Sequence, residues 1–298
     1  MPLTFEVPVF SATAASVAVD RGATRLEINR AGSYAEGGLT PTLAEVQAIV
    51  ASGSVSVPLR VMIRPRGPPA EGAEEERAEE EEEEADFLYT DDEFQQMCCA
   101  LDAFVASGLL QPSRGDGFVF GILKRADTGR LVVDVDRNQQ LVKAAAPYAC
   151  VFHRAFDLIL GDMPSKEGGE AGTQEALATL LQCGFTGVLT AGGPGSRGAA
   201  DHASTLQKLA AAAAAEGVGR AESPSAKRIE IIVGGGVRSS NVGTLAEHIL
   251  AGDNLPTDAV SFHSSCLINP AAAIARGAEG EGVNGDEVER ISRVLVSL

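Results

Sequence analysis

Two glutamates in this sequence stand inside short apolar segments, where a carboxylate has few polar neighbours. Glu6 lies in the segment LTFEVPV, and Glu27 lies in RLEI. Burial of an unpaired carboxylate is costly, so each group must be ion-paired or must take up a proton. Two interpretations remain open: a salt-bridged plug inside the protein, or a general base or ligand clamp.

Three arginines are the nearest cationic partners expected for these carboxylates. Arg64 and Arg66 lie in VMIRPRG, and Arg154 follows another apolar run. A guanidinium is planar and permanently charged, and its paired N–H groups match a phosphate or a carboxylate. A purely structural core would rarely need three inward arginines, so we expect a small anionic ligand.

Two histidines also stand at the ends of apolar runs. A carboxylate partner, either Asp157 or Glu27, would fix the tautomer of His153 and make it a proton shuttle. The alternative is a core histidine that is satisfied by backbone carbonyls. For His263, which ends the last apolar run, a core role and a site role are equally open.

A glycine-rich segment, VGGGVRSSNV (233–242), follows the seventh apolar run. Its glycines let a ligand approach the backbone, and the helix that it opens offers unpaired N–H groups to an anion. Ser264 adds a hydroxyl after the eighth run, and Thr190 after the sixth run is a weaker candidate. A tight turn without a ligand is the alternative. The predicted catalytic residues are Glu6, Glu27, His153 and Asp157, and the predicted ligand-binding residues are Arg64, Arg66, Arg154, Thr190, Gly234, Gly235, Gly236, His263 and Ser264.

Other catalytic groups are scarce. Only Lys124, among five lysines, lies near a predicted strand end, which disfavours a Schiff-base aldolase. No HxH or HExxH motif is present, and no cysteine–histidine spacing typical of zinc or iron sites occurs. The five cysteines form no CxxC pair, and their odd number favours reduced thiols over a disulfide framework. The residues alone therefore predict no particular metal site.

Apolar runs and helical segments alternate along the chain, which predicts parallel strands joined by right-handed crossovers. Eight repeats close a (β/α)8 TIM barrel, and an open doubly wound sheet is the alternative. Strand carboxyl ends share one rim of a barrel, so we expect the candidate residues to converge there. The predicted strands are 3–9, 25–28, 58–63, 117–121, 149–153, 187–190, 228–233 and 259–263. The predicted helices are 11–21, 41–52, 90–107, 134–146, 173–183, 200–215, 239–250 and 284–297.

Two helix starts carry capping signals. Thr40 precedes Pro41, which places a capping hydroxyl before a first-turn proline. Thr90 is followed three residues later by Glu93, as a capping box requires. Both signals support the helix count of the barrel.

Residues 70–85 form an acidic low-complexity insert in the third strand-to-helix connection. Ten glutamates and one arginine in residues 71–84 carry −9, which leaves −8 of the total charge of −17 for the rest of the chain. Self-repulsion predicts a disordered insert within one barrel that spans residues 1–298. Deletion of residues 71–85 should therefore leave folding almost unchanged.

The charge balance limits the partners that we expect. An acidic surface repels nucleic acid and anionic lipid. The first residues lack a basic n-region, and no segment reaches the roughly 18 apolar residues of a membrane-spanning helix. We expect a protein of the cytoplasm, or of the cytoplasm and nucleus, whose partner is a small anionic ligand. A homo-oligomer is compatible with the sequence.

A series of motifs in chain order resembles the CutC copper-homeostasis family. The motifs are RLEI with Glu27, EGGLTP (36–41), VMIRPRG (61–67), DFLYTDDEF (86–94), FGIL (120–123), FHRAFD (152–157), VLTAGG (188–193), GGGV (234–237) and FHSS (262–265). IRPRG together with FHRAFD is the most specific part. The resemblance implies a TIM barrel, a cytoplasmic setting and a role in copper homeostasis, with copper as the only implied cofactor.

The resemblance also implies Cu(I) ligands that this sequence lacks. Members of the family tend to carry a cysteine after the glutamate of each of the first two strands, and these positions are Val7–Pro8 and Asn29 here. Soft thiolates select Cu(I), and Cys150 and Cys266 are the nearest substitutes. Two hypotheses follow: a Cu(I)-handling protein, or a barrel enzyme that acts on a small phosphorylated or carboxylated metabolite by acid–base chemistry.

Overall fold

The computed structural model describes residues 2–69, 86–161, 170–194, 198–218, 228–251, 255–256, 258–268 and 281–298. The predicted acidic insert, residues 70–85, lies outside these ranges. The strands are β1 (Thr4–Val9), β2 (Arg25–Ile28), β3 (Leu59–Met62), β4 (Gly117–Phe120), β5 (Leu123–Arg125), β6 (Leu131–Val133), β7 (Ala149–Phe152), β8 (Gly187–Thr190), β9 (Glu230–Val233) and β10 (Val260–His263).

Eight of these strands close a parallel barrel in the order β1-β2-β3-β4-β7-β8-β9-β10, with β10 paired back to β1. Each barrel strand lies within two residues of its predicted range, so the prediction of a (β/α)8 barrel is confirmed. The open doubly wound sheet is excluded because β10 and β1 are hydrogen-bonded.

The helices that the structure describes surround this barrel. They are α1 (Ala12–Asp20), α2 (Leu43–Ala51), α3 (Asp91–Ser107), α4 (Val135–Ala144), α5 (Ala155–Gly161), α6 (Glu170–Cys183), α7 (Ala203–Val218), α8 (Val242–Leu250) and α9 (Gly285–Ser297). All eight predicted helices are among them, and α5 was not predicted. None of the helices within the described ranges is long and apolar enough to cross a bilayer.

The barrel interior has an apolar half and a polar half. Strands β3, β4, β7, β8 and β9 each give one buried side chain to an apolar cluster: Met62, Val119, Val151, Leu189 and Ile232. Strands β1, β2 and β10 instead bury polar side chains: Glu6, Arg25, Glu27 and Ser261. Neighbouring strand residues such as Val61 and Phe118 belong to the separate, larger core, because successive side chains of a strand point to opposite faces. The polar half therefore positions the chemistry.

The strand register brings the polar residues together. Glu6 is paired with Arg25 on β2 and with His263 on β10. Glu27 is paired with Pro8 on β1. The side chains of Glu6, Glu27 and His263 consequently lie at the same end of the barrel, on three adjacent strands.

One of the two capping predictions is wrong. Thr42, not Thr40, caps α2, and its hydroxyl forms a capping box with Glu45. Thr40 instead exchanges two hydrogen bonds with the backbone of Arg64, at 2.7 and 3.0 Å. Thr90 caps α3 in a capping box with Glu93, as predicted.

Candidate active site

A cavity of about 530 Å³ opens at the carboxyl ends of the barrel strands. Small-molecule sites typically have volumes of about 300–1,000 Å³. Nine predicted site residues line the cavity: Glu27, Arg64, His153, Arg154, Asp157, Gly235, Gly236, His263 and Ser264. Four predicted site residues do not line it: Glu6, Arg66, Thr190 and Gly234. The expected convergence on one rim therefore holds for most of the set.

Glu6 lies below the cavity floor, at the centre of an ion-pair network. Its Oε1 lies 2.8 Å from Nδ1 of His263, and its Oε2 lies 2.5 Å from Nε of Arg25. Burial alone would raise the pKa of Glu6, but the charge of Arg25 and the hydrogen bond with His263 outweigh burial and hold the pKa at about 2. Glu6 is therefore ionised at neutral pH.

Arg25 extends this network towards the amino-terminal end of the barrel. Its Nη1 donates to both carboxylate oxygens of Glu230, at 2.9 and 3.0 Å, and its Nη2 donates to the hydroxyl of Ser261 at 3.0 Å. The predicted ion-paired plug is thus present beneath the cavity. Its arginine is Arg25, which sequence reasoning missed, and not Arg64, Arg66 or Arg154.

Glu27 is buried on the cavity wall and is only half satisfied. Its Oε1 accepts a hydrogen bond from the Asn29 amide at 3.0 Å. Its Oε2 has no hydrogen-bond partner in the described part of the chain. Burial raises the pKa of Glu27, and the negative charge of Glu6 adds to this effect against the opposing charge of His263. The carboxyl group is thus biased towards its protonated form.

His263 lies between these two carboxylates and lines the cavity. Burial alone would lower its pKa, but the hydrogen bond with Glu6 and the negative charges of Glu27 and Glu6 outweigh burial, so the pKa is raised above its usual value of 6.5. A histidine whose pKa is raised in this way holds its ring proton more tightly than a free imidazole does, and it can take part in proton transfer with a bound substrate.

His153 has a different environment from the one predicted. Its Nδ1 accepts a hydrogen bond from the Ala155 amide at 3.3 Å, so neither Asp157 nor Glu27 holds the ring. Burial, together with the positive charge of Arg64, lowers its pKa to about 3. The ring is neutral at pH 7 and carries its proton on Nε2, which has no partner among the described residues. His153 is therefore a hydrogen-bond donor and not a base.

Arg64 binds protein groups with its terminal nitrogens. Nη1 donates to the carbonyls of Glu36 and Gly38, at 2.5 and 3.2 Å. Nη2 donates to both carboxylate oxygens of Asp86, at 3.1 and 3.0 Å, and the guanidinium lies over the ring of Phe87. Arg64 thereby ties the loop after β2 to the segment that enters α3.

Arg66 points away from the cavity. Its Nε donates to Glu93 at 2.6 Å, its Nη2 donates to the carbonyl of Leu88 at 2.6 Å, and its guanidinium packs over Tyr89. These contacts assign it to the start of α3. Because the terminal nitrogens of Arg64 are also bound to protein groups, the predicted three-arginine clamp is reduced to Arg154.

Arg154 remains at the cavity wall, and Asp157 orients it. Nε of Arg154 donates to Asp157 at 2.7 Å, while the side chain is 41% exposed. Asp157 also accepts hydrogen bonds from the hydroxyl of Thr190 at 2.5 Å and from the Ala191 amide. Thr190 therefore acts through Asp157. Asp157 itself is a structural anchor for the arginine.

The glycine-rich loop contributes backbone and one further arginine to the cavity. Gly235 has φ +90°, and a Cβ there would lie 2.9 Å from Ala191 Cβ and 3.5 Å from Arg154 Cζ, so only glycine fits. Arg238, which sequence reasoning did not select, lines the cavity beside Ser264. The predicted unpaired amides at the start of α8 are partly occupied, because the Arg238 amide donates to Asn241 and the Ser239 amide donates to Glu287.

A comparison with known families identifies the chain. The model of the CutC family matches residues 3–72 and 81–253. This chain belongs to the CutC family. The match is interrupted inside the acidic tract, and it includes every predicted site residue up to Gly236.

Curated CutC relatives cover most of the chain. The CutC-family protein of Porphyromonas gingivalis is 30% identical over 266 residues, which are 89% of this chain and 81% of that protein. The human copper homeostasis protein cutC homolog is 31% identical over 260 residues, which are 87% of this chain and 72% of that protein. A CutC crystal structure from Streptococcus agalactiae has a TM-score of 0.60 at 22% identity and covers 88% of this chain and 98% of that chain, which supports the fold.

The cavity of this CutC-family chain does not fit Cu(I). Pro8 and Asn29, at the two positions where the resemblance implied cysteine ligands, both line it. None of the five cysteines lines the cavity. The only sulfur on the described cavity wall is the thioether of Met62. A single thioether does not make the soft ligand set that Cu(I) selects.

One nitrogen and oxygen cluster could hold a harder metal ion. One ligand atom from each of Glu6, Glu27 and His263 lies within 4.8 Å of the other two. However, both oxygens of Glu6 are already engaged, one by Arg25 and one by His263. This engagement favours proton transfer over metal ligation for the cluster.

Proposed function

We propose that this CutC-family chain is an enzyme that acts on a small phosphorylated or carboxylated metabolite by general acid–base chemistry. One observation carries the proposal. Four buried polar atoms of residues that line the same cavity have no hydrogen-bond partner among the described residues: Oε2 of Glu27, Oδ1 of Asn29, Nε of Arg64 and Nε2 of His153. Each such atom costs about 1–3 kcal/mol, and a ligand with polar groups could supply the missing partners.

Three of the titratable groups on the wall suit different steps. His263 has one ring nitrogen on Glu6, so Nε2 is left to exchange a proton with the substrate. Burial raises the pKa of Glu27, so its carboxyl group holds a proton more tightly than an ordinary glutamate does and can serve as the proton donor. Neutral His153 can donate a hydrogen bond to a carbonyl or oxyanion without adding a charge. Two groups with different proton affinities facing one cavity are typical of acid–base enzymes.

The anionic part of the substrate is assigned to the rim opposite the β3 loop. Arg154 and Arg238 line this side and supply permanent positive charge. The amides of Gly235 and Gly236 donate to no acceptor in the described part of the chain, and both glycines line the cavity. Guanidinium groups next to free backbone amides are a common arrangement for binding phosphate or carboxylate.

Anion-dependent thermal stability tests this proposal. Phosphate, sulfate and sugar phosphates at low salt should raise the Tm of the wild type. At a hundredfold excess of ligand over Kd, binding should add about 2.7 kcal/mol to the free energy of unfolding. Arg154→Gln and Arg238→Gln should each lose most of this shift. Arg293→Gln, at an exposed arginine of α9, is the matched control and should keep it. An unresponsive wild type, or arginine variants that respond like the control, would show that the proposal is wrong.

A role in copper homeostasis is the second candidate, and family membership supports it. The human relative is named a copper homeostasis protein. Because the cavity lacks thiolates, we expect the wild type to bind Cu(I) weakly, as a competition titration with a Cu(I) chelator would measure. Pro8→Cys/Asn29→Cys is the positive control and should bind more tightly, since β1 and β2 are adjacent. A single tight site in the wild type, abolished by Cys266→Ser, would favour copper handling.

A further inference from the structure

The Glu6–His263 contact has a direction that depends on which partner holds the proton. An ionised carboxylate can only accept hydrogen bonds, whereas a neutral imidazole donates from one nitrogen and accepts at the other. If Glu6 is ionised, Nδ1 of His263 must carry a proton, and Nε2 of the neutral ring has a free lone pair. If Glu6 is protonated, it can donate to Nδ1, and the ring proton then sits on Nε2.

Arg25 disfavours the second arrangement. Its Nε donates to Glu6 Oε2 at 2.5 Å, and its permanent positive charge stabilises the ionised form of this carboxylate. The remaining terminal nitrogens are bound to Glu230 and Ser261, so the side chain is held from the far end of the barrel and is only 6% exposed. The guanidinium cannot turn away from Glu6 without leaving those partners.

We infer that Arg25 is a positioning residue, which acts through Glu6 to keep the proton of neutral His263 on Nδ1 and to present the lone pair of Nε2 to the cavity. The inference deepens the proposed acid–base function, since it specifies which nitrogen of His263 serves as the base. The inference can be tested by measuring the tautomer of neutral His263, which is defined whether or not a metabolite binds.

Other charged groups lie near Arg25, Glu6 and His263 and also affect the proton affinities of these side chains. Glu27 on β2 acts on His263 and favours its charged form. Arg60 on β3 acts on Glu6 and supports its ionised form. Glu230 on β9 is the second anion facing Arg25. These groups adjust proton affinity, whereas the direction of the Glu6–His263 bond follows from the ionised state of Glu6, which the adjacent charge of Arg25 stabilises.

The test is ¹⁵N NMR of the histidine ring nitrogens in the intact chain, above the pH at which His263 loses its charge. The signals of His263 are assigned by their loss in His263→Asn. In the wild type we expect the proton on Nδ1 and an unprotonated Nε2. A proton on Nε2 of the neutral wild-type ring would overturn the inference without any further variant.

Two variants connect the tautomer to Arg25. In Arg25→Met, Glu6 loses its cation, shares a proton with His263 and should shift the ring proton towards Nε2. Glu6→Gln is the same size as the native side chain and does not require a buried charge to be left unpaired. Its oxygen should face Arg25, so its amino group should donate to Nδ1 and place the ring proton on Nε2. If Arg25→Met does not fold, the tautomer of His263 in Glu6→Gln is the deciding measurement.

The outcomes separate the inference from the proposed function. Retention of the Nδ1 proton in the folded variants would mean that Arg25 and Glu6 form only a structural plug. A shift to Nε2, together with an unresponsive wild type in the anion experiment, would support the positioning role and reject the metabolite proposal. An anion response of the wild type, together with an unchanged His263 tautomer in the variants, would support the metabolite proposal and reject the positioning role of Arg25.

Discussion

Glu6 and Glu27 are the same residue type on adjacent strands, and their surroundings shift their pKa values in opposite directions. Glu6 accepts from Arg25 and holds a pKa of about 2. Within the described ranges, Glu27 has only the neutral Asn29 amide as its hydrogen-bond donor, and burial raises its pKa. Carboxylates separated in this way can serve different roles in one site, one as a fixed anion and one as a proton donor.

Replacement of Glu27 tests this separation through stability. The folded protein holds the Glu27 proton more tightly than the unfolded chain does, because the pKa is raised from its ordinary value of 4.5. The stability from that proton is fully present below pH 4.5 and is lost as the pH rises through the folded-state pKa. Glu27→Gln cannot ionise, so relative to the wild type it should be more stable at pH 8 than at pH 4. Urea unfolding at both pH values measures the difference.

The control for this experiment is Glu247→Gln, at an exposed position of α8. Its stability relative to the wild type should be nearly the same at both pH values. If Glu27→Gln behaved in the same way, Glu27 would ionise freely in the folded protein and could not be the proton donor. A gain of stability on removing a functional group is common where a site is built for chemistry and not for stability.

At the residue scale, the sequence predicted the unusual carboxylates but not their partner. Glu6 and Glu27 were identifiable because each interrupts an apolar strand. Arg25 stands two residues before Glu27 in RLEI, and residues i and i+2 of a strand share a face, so a signal was present. It was missed because candidates were sought only at strand carboxyl ends, whereas Arg25 lies at the amino-terminal end of β2 and reaches Glu6 across the sheet.

At the element scale, the cavity is shaped by loops that side chains hold in place. Arg64 at the end of β3 binds the carbonyls of Glu36 and Gly38 in the loop after β2, and it pairs with Asp86 before α3. Phe87, next to Asp86, has φ +67° and packs on the ring of His153 at 4.5 Å. A bulky residue in this backbone conformation is strained and needs such external contacts.

Substitution of Arg64 should therefore loosen the loops and leave the anion response intact. Arg64→Met removes hydrogen bonds to two carbonyls and a carboxylate, and we expect a loss of about 1.5–3 kcal/mol in urea unfolding. Arg154→Gln, at a partly exposed ion pair, should cost at most about 1 kcal/mol. The phosphate-induced Tm shift, in contrast, should be kept in Arg64→Met and mostly lost in Arg154→Gln. Loss of that shift in Arg64→Met with little change in stability would instead make Arg64 a ligand clamp.

The elements themselves could be predicted wherever their patterns were long. All eight barrel strands combine an apolar run with a following helix, and that combination fixes both type and order. The β5–β6 hairpin was missed because each strand has only three residues, with its turn closed by Ala126 and Gly129. The cap of α2 was misplaced because Thr40 and Thr42 flank the same proline, and only Thr42 has Glu45 three residues later.

At the scale of the whole molecule, charge is unevenly distributed along the chain. Residues 71–84 carry −9 of the total −17. This tract joins Pro68 to Asp86, and both of these residues line the cavity. The described residues on either side are anchored without it, since Asp86 binds Arg64 and the Phe87 carbonyl accepts from Leu123. The tract is therefore tethered next to a cavity for which we propose an anionic substrate.

Neutralising the tract should change anion binding more than it changes folding. Exchange of its ten glutamates for glutamine keeps the length and removes a repulsive field at the mouth. At about 0.01 M salt, where the screening length is roughly 30 Å, phosphate should bind severalfold more tightly to the variant. At about 1 M salt, where the screening length is roughly 3 Å, the difference should vanish. Without an anion, Tm should move by less than about 4 °C, which corresponds to about 1 kcal/mol for a chain of this size.

Equal phosphate affinity of the variant and the wild type at low salt would mean that the tract's charge does not reach the site. A large fall in Tm would mean that the glutamates contact the barrel, contrary to the prediction from their self-repulsion.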